Sequence, residues 1–333
     1  MKINSFTILR KKAIIISLVF AIFMLIAKLG AYFLTNSAAI FSDAAESVVH
    51  ILATSMAFYS IILSSKPADE SHLYGHGNIE YFSAGVEGLF IIIASIYIIY
   101  SAINDLIVGT ELKQLDIGIY IISIAGLINL GLGYYLINIG KKTNSLTLVA
   151  DGKHVLTDSF TSIGVIIGII LVLITKLEII DPIVAILVAI NILYTGYNLI
   201  RESIGGLMNE TDKDILNKIV NCLKKNRRDY WIDIHHLRFW KSGENIFIDF
   251  HLSLPYYFNI KESHLEEEYI ENCIQTDIPS SQVRNHLDYC AENLCKYCLY
   301  EECKVRGDNF NIKIDWDEKK LLGDPLEIKG HIS

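Results

Sequence analysis

Charged residues are scarce in the first two hundred positions of this 333-residue chain. Residues 1–201 contain only 12 Lys and Arg and 13 Asp and Glu. Hydrophobic residues make up 52% of the sequence, which argues against a wholly soluble protein. Excess positive charge is absent as well. The net charge is −8 and arises mainly after residue 201, which argues against nucleic acid as a partner.

A cleavage site of small residues is also missing after the basic start of the chain, residues 1–12. The apolar run that follows is instead the first of six with roughly the 20 residues needed to cross a bilayer. We therefore predict six membrane spans rather than a cleaved signal peptide. The predicted spans are residues 13–34, 38–63, 81–103, 116–139, 155–175 and 179–200.

Lysine and arginine cluster on one side of the predicted spans. Because positively charged loops tend to stay in the cytoplasm, we predict an integral, multi-pass membrane protein with both termini cytoplasmic. The charges that set this orientation are Lys11, Lys12, Lys66, Lys141, Lys142, Lys153 and Arg201.

After Arg201 the hydrophobic pattern becomes that of a small α+β domain. Helical spacing over 212–226 and 261–275 alternates with strand-like segments at 232–240, 245–254 and 281–289. The order αββαβ predicts a ferredoxin-like arrangement with the helices on one face of a sheet. We predict a six-helix transmembrane transport domain at 1–204, a cytoplasmic metal-binding domain at 205–290 and a cysteine-containing tail at 291–333.

Two polar patches interrupt the apolar spans and share one spacing. In each, an Asp is followed after three and after seven residues by a potential metal ligand. Residues four apart lie on one helix face, so two adjacent helices could direct four ligands at a single divalent metal. Ionisable groups at membrane depth are costly, which indicates a function. The patches are Asp43, Glu46 and His50, and Asp151, His154 and Asp158.

Each polar feature of the spans also admits another interpretation. The four paired ligands could lie at helix ends and extend toward the membrane interface. Asp43 and Asp151 could orient the ligands or relay metal and protons, or they could cap helices and complement the helix dipoles. Glu87, inside the third span, could face water or hydrogen-bond between helices, and the sequence does not choose.

The chain resembles the cation diffusion facilitator family, proton-coupled exporters of zinc and related divalent metals, over about residues 10–290. The resemblance rests on the paired patches and the α+β domain. It also rests on the loop Lys66-Pro-Ala-Asp-Glu-Ser-His-Leu-Tyr-Gly-His-Gly77, followed by Glu80, and on Asp181-Pro182 opening the last span. It implies a homodimer with six spans per subunit, a transported ion between the second and fifth helices, and a cytoplasmic domain that binds metal.

Two further groups match positions where the family binds metal. In the loop, ligands spaced by three and four residues could converge on one ion, although a solvated loop that caps helices would look similar. In the soluble domain, a histidine on a strand is more often a satisfied polar residue. His236 is left out, because a regular strand would turn it to the opposite face. The candidate ligands are Asp69, His72 and His76, and His235, His251, His264, His286 and Asp288.

The membrane patches depart from the usual family pattern. The second helix carries Glu46 and His50, with acid and imidazole exchanged relative to the fifth helix. Two carboxylates and two imidazoles still suit tetrahedral Zn²⁺, so we expect Zn²⁺ as transported and regulatory ion, with Fe²⁺ or Mn²⁺ as alternatives. Asn78 and Asn209 replace a charge pair that can link family members across the dimer, and we expect that link to be absent.

Four of the six cysteines lie close together after the last predicted strand. A cytosolic location keeps thiols reduced, and four thiolates that include a Cys-x-x-Cys pair are typical of a zinc site. The spacing suits an iron–sulfur cluster less well, and free thiols are the alternative. Cys222 and Cys273 fall on predicted helices, where we expect them to pack. The four clustered residues are Cys290, Cys295, Cys298 and Cys303.

Together these features predict a dimeric transporter, not an enzyme, that exports a divalent metal from the cytoplasm in exchange for protons. Protons would compete with the metal because the ligands must be deprotonated to bind it. The main alternative is a membrane-anchored metal sensor or storage protein without transport. A membrane metallohydrolase would need an open coordination position and a general base.

Overall fold

The computed structural model describes residues 2–109, 115–143, 145–243 and 245–326. These residues form two compact units that divide after Met208. Part of the predicted loop between the third and fourth spans, residues 110–114, lies outside the described residues. So does the end of the predicted tail, residues 327–333.

Six helices in the first unit are long and apolar enough to cross a membrane, which confirms the six predicted spans. The first and fifth helices begin well before their predicted spans, at Lys2 rather than residue 13 and at Leu146 rather than residue 155. The second ligand patch therefore lies inside a helix and not at its end. The helices are α1 (Lys2–Thr35), α2 (Ala38–Ser64), α3 (Ile79–Val108), α4 (Leu115–Thr143), α5 (Leu146–Thr175) and α6 (Ile180–Leu207).

Buried polar side chains fix where α2 and α5 begin. Ser37 is the N-cap of α2 and donates a 2.6 Å hydrogen bond to the carboxylate of Asp181, at the start of α6. Ser145 is the N-cap of α5, and its hydroxyl lies 3.5 Å from the carboxylate of Glu80 in α3. The first amides of a helix lack partners within the helix, so these contacts stabilise both buried helix ends.

Glycines allow two pairs of membrane helices to pack closely. A Cβ atom added to Gly152 of α5 would lie 2.9 Å from the carbonyl oxygen of Gly133 in α4. A Cβ atom added to Gly196 of α6 would lie 3.0 Å from the carbonyl oxygen of Gly88 in α3. Small residues permit such close approach between helices in membranes. Because Gly152 follows Asp151 in the chain, the first crossing also positions the second ligand patch.

The second unit has the predicted αββαβ order. Strands β1 and β2 are antiparallel, β2 and β3 are parallel, and β2 lies in the middle of the sheet. Phe250 and Leu252 of β2 are buried in the core that the two helices cover, so His251 between them belongs to the opposite face. The elements are α7 (Lys213–Lys225), β1 (Asp233–Ser242), β2 (Asn245–Leu254), α8 (Ile260–Asp277) and β3 (Ser281–Tyr289).

The segment after β3 packs onto this same unit. A 3₁₀ helix at Glu292–Tyr297 and a short helix α9 at Glu318–Leu322 follow β3. Trp316 and Leu321 are buried in the main core. The guanidinium of Arg227, just after α7, lies 4.2 Å from the centre of the Trp316 ring, a favourable cation–π contact. Residues predicted to form a tail therefore contribute to the core of the domain.

Candidate metal centres

Helices α2 and α5 run antiparallel past each other, with polar contacts along their length. Ser162 of α5 donates a 2.8 Å hydrogen bond to Asp43 near the start of α2. Further along α2, Thr54 donates a 3.0 Å hydrogen bond to Asp151, which lies near the start of α5. Asp43 and Asp151 consequently occupy opposite ends of one buried polar row, and the four predicted ligands lie between them.

The central part of this row brings the predicted ligands near one another. The rings of His50 and His154 lie 5.5 Å apart, edge to face. Nδ1 of His154 lies 3.7 Å from Oδ1 of Asp158. Glu46 accepts a 3.1 Å hydrogen bond from Thr161. The four ligand residues are each at most 4% exposed, so the alternative that they extend to the membrane interface does not hold.

Several ligand atoms in this row have no hydrogen-bond partner among the described residues. They include Nε2 of His154 and both carboxylate oxygens of Asp158. Buried polar atoms are almost always paired, and leaving a buried carboxylate without a partner is costly. These atoms are therefore available to a cation. In the described ranges the row contains no three ligand atoms within 4.8 Å of one another, so the side chains must move together to coordinate an ion.

Asp151 contacts a predicted ligand. Its Oδ1 lies 3.4 Å from Nε2 of His50, and its Oδ2 accepts a 2.8 Å hydrogen bond from Ser17 of α1. The N-caps of the two helices are Ser37 and Ser145, so neither Asp43 nor Asp151 is the N-cap of its helix. Of the two interpretations of Asp151, the geometry favours orientation of His50.

Asp43 forms an ion pair that the sequence analysis missed. Nζ of Lys28 in α1 lies 3.1 Å from Oδ1 of Asp43, and both side chains are fully buried. A lysine within the first apolar run was the available signal, since charges at membrane depth pair with one another. Lys28 places a positive charge at one end of a row that otherwise carries carboxylates and imidazoles.

A cavity of about 540 Å³ lies between α5 and α6 and reaches His154. Its lining is partly polar, so it can admit a hydrated ion toward the row. Glu87 of α3 is buried, and its Oε1 atom has no hydrogen-bond partner within the described residues. The polar residues that line the cavity are Lys153, His154, Thr157, Asn191, Tyr194, Thr195, Asn198 and Glu202.

The loop between α2 and α3 brings its three predicted ligands together. Nδ1 of His72 lies 3.2 Å from Oδ1 of Asp69, and Nε2 of His76 lies 3.3 Å from Oδ2 of Asp69. One ligand atom from each residue lies within 4.8 Å of the others. Hydrogen bonds from Ser71 and from His72 lower the pKa of Asp69 to about 2. The carboxylate is therefore charged and able to bind a cation at any physiological pH.

Three histidines form a row across the sheet of the soluble unit. His235, His251 and His286 are aligned partners on β1, β2 and β3. Nδ1 of His251 lies 2.9 Å, and Nε2 of His235 lies 3.3 Å, from Oδ2 of Asp288. Ligand atoms of His235, His251 and Asp288 lie within 4.8 Å of one another. Nε2 of His286 is 3.5 Å from the other oxygen of Asp288.

His236 does not lie on the opposite face of the sheet, and that expectation was wrong. The pairing of β1 with β2 shifts between His235 and Arg238, and His236 has a positive φ of 52°. The strand is therefore irregular at this point. The His236 ring lies 5.4 Å from that of His251, beside the predicted ligands.

His264 is not brought to this row within the chain. It lies on α8, where its Nδ1 is 3.2 Å from Glu267 and its Nε2 is 3.6 Å from Glu268. Its side chain is well exposed and, among the described residues, contacts acidic groups of its own helix. The single chain thus assembles four of the five ligands predicted for the soluble domain.

All four clustered cysteines, Cys290, Cys295, Cys298 and Cys303, line one small cavity. The other two cysteines lie elsewhere in the unit. Cys222 is buried in the main core, and Cys273 packs against that core, as predicted. Burial raises the pKa of Cys222 to about 11, which keeps this thiol protonated and inert.

Comparisons with known proteins agree with this arrangement of helices and domains. Residues 14–208 match the family model of the cation efflux transmembrane domain. Residues 211–290 match that of the cation efflux protein cytoplasmic domain. The chain belongs to the cation diffusion facilitator family. It is thus an integral, multi-pass member of a family of divalent cation efflux transporters.

Individual relatives of this cation diffusion facilitator are similar over most of their length. The chain is 37% identical to an uncharacterized transporter of Synechocystis sp., over 78% of this chain and 84% of that protein. It is 32% identical to the cadmium, cobalt and zinc/H(+)-K(+) antiporter of Bacillus subtilis, over 71% of this chain and 76% of that protein. It is 27% identical to the magnetosome protein MamB of Magnetospira sp., over 74% and 83% respectively.

Proposed function

We propose that this cation diffusion facilitator exports a divalent metal ion from the cytoplasm in exchange for protons. The observation that carries the proposal is the buried row between α2 and α5. In it, Asp158 and His154 present ligand atoms without hydrogen-bond partners among the described residues, next to Glu46 and His50. A site inside membrane helices that can accept either a cation or protons is what exchange across a bilayer requires.

Zn²⁺ is the proposed substrate, with Fe²⁺ or Mn²⁺ as alternatives. Two imidazoles and two carboxylates suit tetrahedral Zn²⁺. The similar protein of Bacillus subtilis is a cadmium, cobalt and zinc/H(+)-K(+) antiporter. Imidazole also binds Fe²⁺, whereas Mn²⁺ prefers oxygen ligands. Two histidines in the row therefore favour Zn²⁺ over Mn²⁺.

The route of the ion follows from the antiparallel helices. With both termini cytoplasmic, as the lysine and arginine distribution predicts, α5 begins on the cytoplasmic side and α2 on the opposite side. Asp151 then marks the inner end of the row, and Asp43 with Lys28 marks the outer end. The cavity beside His154 gives access from the inner half. Lys28 repels a cation at the outer end until the helices rearrange.

Proton exchange follows from the same ligands. A metal ion binds when the carboxylates are charged and the histidines are neutral. When the site opens outward, protons compete for the same lone pairs, and imidazole is the ligand type that titrates near neutral pH. The contacts of Thr161 with Glu46 and of Asp151 with His50 hold these ligand side chains in place while the site changes between its metal-bound and protonated states.

The soluble unit is proposed as a dimerising and regulatory metal-binding domain. Its cluster of His235, His251 and Asp288 already brings three ligand atoms together. Asp233 supports His235 from behind, with its Oδ2 3.2 Å from Nδ1 of His235, and is itself ion-paired to Lys320 of α9 at 2.6 Å. Metal binding at this cluster would therefore affect how the C-terminal segment packs, because Asp233 contacts both His235 and Lys320.

The test is metal flux into proteoliposomes under a pH gradient, with Zn²⁺, Fe²⁺, Mn²⁺, Co²⁺ and Cd²⁺ compared. Asp158→Asn keeps the shape of the side chain but removes its charge, and we expect flux to fall to the background of empty vesicles. Asp116→Asn, at an exposed position near the start of α4, is the matched control and should transport normally.

Near-normal flux in Asp158→Asn would contradict the proposed site. Metal binding without flux in the unmodified protein would instead favour the sensor or storage function. Flux that does not depend on the pH gradient would exclude proton coupling while leaving metal transport intact.

A further inference from the structure

Four thiols surround one small cavity at the end of the sheet. Cys290 directly follows β3, and its amide donates a 2.9 Å hydrogen bond to the carbonyl of Leu254 at the end of β2. Cys295 lies in the 3₁₀ helix, Cys298 follows that helix, and Cys303 lies in the next loop. The cavity that all four line has a volume of about 20 Å³, enough for one water-sized occupant.

Backbone groups around the cavity are arranged to stabilise sulfur in its charged form. The amide of Tyr256 hydrogen-bonds to the Cys290 sulfur, and the amide of Tyr300 hydrogen-bonds to the Cys298 sulfur. Hydrogen bonds to the charged form of a group favour that form. Burial still raises the pKa of both thiols, so an ion that binds there must displace their protons.

A positive side chain lies against the same cavity. Arg306 is part of the cavity lining. Its Nη2 donates hydrogen bonds of 2.9 Å to the carbonyl of Cys298 and 2.8 Å to that of Tyr300. Four thiolates around a divalent ion carry a net charge of −2, and a guanidinium held beside them offsets part of that charge. The arginine thus suits an anionic metal–thiolate centre better than neutral thiols.

We propose that Cys290, Cys295, Cys298 and Cys303 bind one Zn²⁺ in a closed tetrahedral site that fastens the C-terminal segment to the soluble unit. The family model of the cytoplasmic domain ends at residue 290, so three of the four ligands lie beyond it. The site is distinct from the transport row and from the histidine cluster, and it does not depend on metal crossing the membrane.

Ion binding would draw the sulfur atoms together. No three of the described cysteine sulfurs lie within 4.8 Å of one another. Zinc–sulfur bonds of about 2.3 Å in a tetrahedron place sulfurs about 3.8 Å apart. This contraction would move the 3₁₀ helix and the loop that carries Cys303 toward each other. The segment after that loop is already attached to the 3₁₀ helix, because the amides of Asn311 and Ile312 both donate hydrogen bonds to the carbonyl of Lys296.

Zinc bound by the four cysteines would link β3 to the later segment of the chain that contains Trp316. Apolar packing in this region is sparse, with Ile232, Leu294 and Cys298 as its buried members. Further along, Trp316 enters the main core, and Lys320 pairs with Asp233. Because metal binding to a small site contributes directly to folding, zinc would hold the intervening segment in place and so keep Trp316 and α9 docked.

The first test counts metal in the full-length protein, purified in detergent under reducing conditions, stripped with a chelator and reloaded with Zn²⁺. We expect Cys295→Ser combined with Cys298→Ser to hold about one ion per chain fewer than the unmodified protein, as a single four-ligand site requires. Cys273→Ser, which removes a thiol from α8 of the same unit, is the control and should retain full metal content. Equal content in all three proteins would overturn the proposal.

A second measurement needs no variant and stays valid if the double substitution unfolds the unit. The unmodified protein is alkylated with iodoacetamide in the presence of Zn²⁺ or of Mg²⁺, and the labelled positions are mapped by mass spectrometry. Zn²⁺ should protect the four clustered cysteines together and leave Cys273 unaffected, whereas Mg²⁺ should protect none. Labelling of the four that is unchanged by Zn²⁺ would show that they are free thiols. Neither readout involves transport, so failure here leaves the proposed function untouched.

Discussion

The candidate ligands of the membrane unit and those of the soluble unit differ in how their polar atoms are paired. In the membrane row, Asp158 has no hydrogen-bond partner for either oxygen within the described residues. In the soluble unit, Asp288 lies 2.9 Å from His251 and 3.3 Å from His235. The carboxylate of Asp158 is thus without hydrogen-bond partners among the described residues of the membrane row, whereas in the soluble unit that of Asp288 contacts the neighbouring histidines.

This difference indicates how each site uses metal. An ion that enters the membrane row gives partners to buried atoms that lack them among the described residues, and leaving such atoms unpaired is costly. An ion at the sheet must first displace existing contacts between the histidines and Asp288. We therefore expect the sheet cluster to respond to rising metal concentration, and the membrane row to be occupied in turn by metal or protons.

The largest effect is expected at the ion pair that ends the membrane row. Replacing Lys28 by Met leaves the buried carboxylate of Asp43 without its partner, which should lower the free energy of unfolding by about 3–5 kcal/mol. Transport should be lost as well. Adding Asp43→Asn to Lys28→Met should restore part of the stability, because the stranded charge is removed.

Reversible unfolding in mixed detergent micelles measures this effect. Lys66→Met, in the exposed loop after α2, serves as the control and should be close to neutral. If Lys28→Met were as stable as the control, the ion pair between Lys28 and Asp43 would not stabilise the folded membrane unit.

A second substitution tests whether His50 sets metal choice. His50→Asp replaces an imidazole by a carboxylate and makes the row richer in oxygen, which favours Mn²⁺ relative to Zn²⁺. We expect the Mn²⁺-to-Zn²⁺ flux ratio to rise about tenfold, equivalent to about 1.4 kcal/mol. The pH dependence should also shift, because an imidazole that can take up a proton is removed.

Flux in proteoliposomes over a range of pH gives both quantities. His50→Asn removes the imidazole without adding charge and separates the two effects. A selectivity and pH profile unchanged in both variants would show that His50 is not a ligand.

Removing the sheet ligands should have a smaller effect on transport. With both His235 and His251 changed to Ala, metal content should fall by about one ion per chain, while flux persists at a reduced rate because the membrane row is intact. Asp158→Asn should show the reverse, with no flux and a retained sheet ion. Elemental analysis and flux on the same preparations provide the measurement.

His264→Ala is the control for the sheet cluster, since His264 contacts acidic groups of its own helix. It should keep its full metal content. Loss of an ion in this variant would place His264 among the ligands after all, supplied across a dimer.

The smallest expected effect concerns the support behind His235. Burial alone would raise the pKa of Asp233, but contacts with His235, Lys320 and the amide of Leu326 outweigh it and hold the pKa below its usual value. A lowered pKa means that these contacts stabilise the unit above about pH 4, the region where an unfolded Asp is charged. That contribution disappears as the pH falls through the folded pKa.

Unfolding of metal-free protein at several pH values can test this sign. All three Trp residues, Trp231, Trp240 and Trp316, lie in the soluble unit, so their fluorescence reports its unfolding within the full-length chain. The stability gap between the unmodified protein and Asp233→Asn should narrow as the pH falls from 6 to below 4. A gap that stays constant would contradict the depressed pKa of Asp233.

Much of the architecture could be predicted from the sequence because it depends on local pattern. Apolar length identified the six spans, and alternation identified β2 and β3 at the bounds the structure shows. The boundary of α5 was harder to place. Its first turns contain the polar residues Thr147, Asp151 and Lys153, so the apolar run begins later than the helix. The start of the helix is instead set by the N-cap Ser145 and its contact with Glu80, both of which lie outside the apolar run.

The sequence also predicted candidate ligands whose spacing lies within one element, such as Asp69, His72 and His76, whose ligand atoms the structure brings together in the loop. It did not identify Lys28, whose partner lies on another helix, or the place of His236, which depends on a shift in strand pairing. Contacts between elements depend on how helices and strands pack, and a local pattern carries no record of that packing.

By itself, the sequence determined which side chains carry potential metal-ligating atoms and which segments are long and apolar enough to cross a membrane. These follow from residue chemistry and from the burial of apolar surface, which are properties of each segment alone. Only the tertiary structure decided that Asp43 pairs with Lys28, that Asp158 has no hydrogen-bond partner among the described residues, and that Trp316 joins the core of the domain. The physical reason is that the pairing of a buried group depends on which neighbours the fold brings within a few ångströms, and those neighbours are distant in the chain.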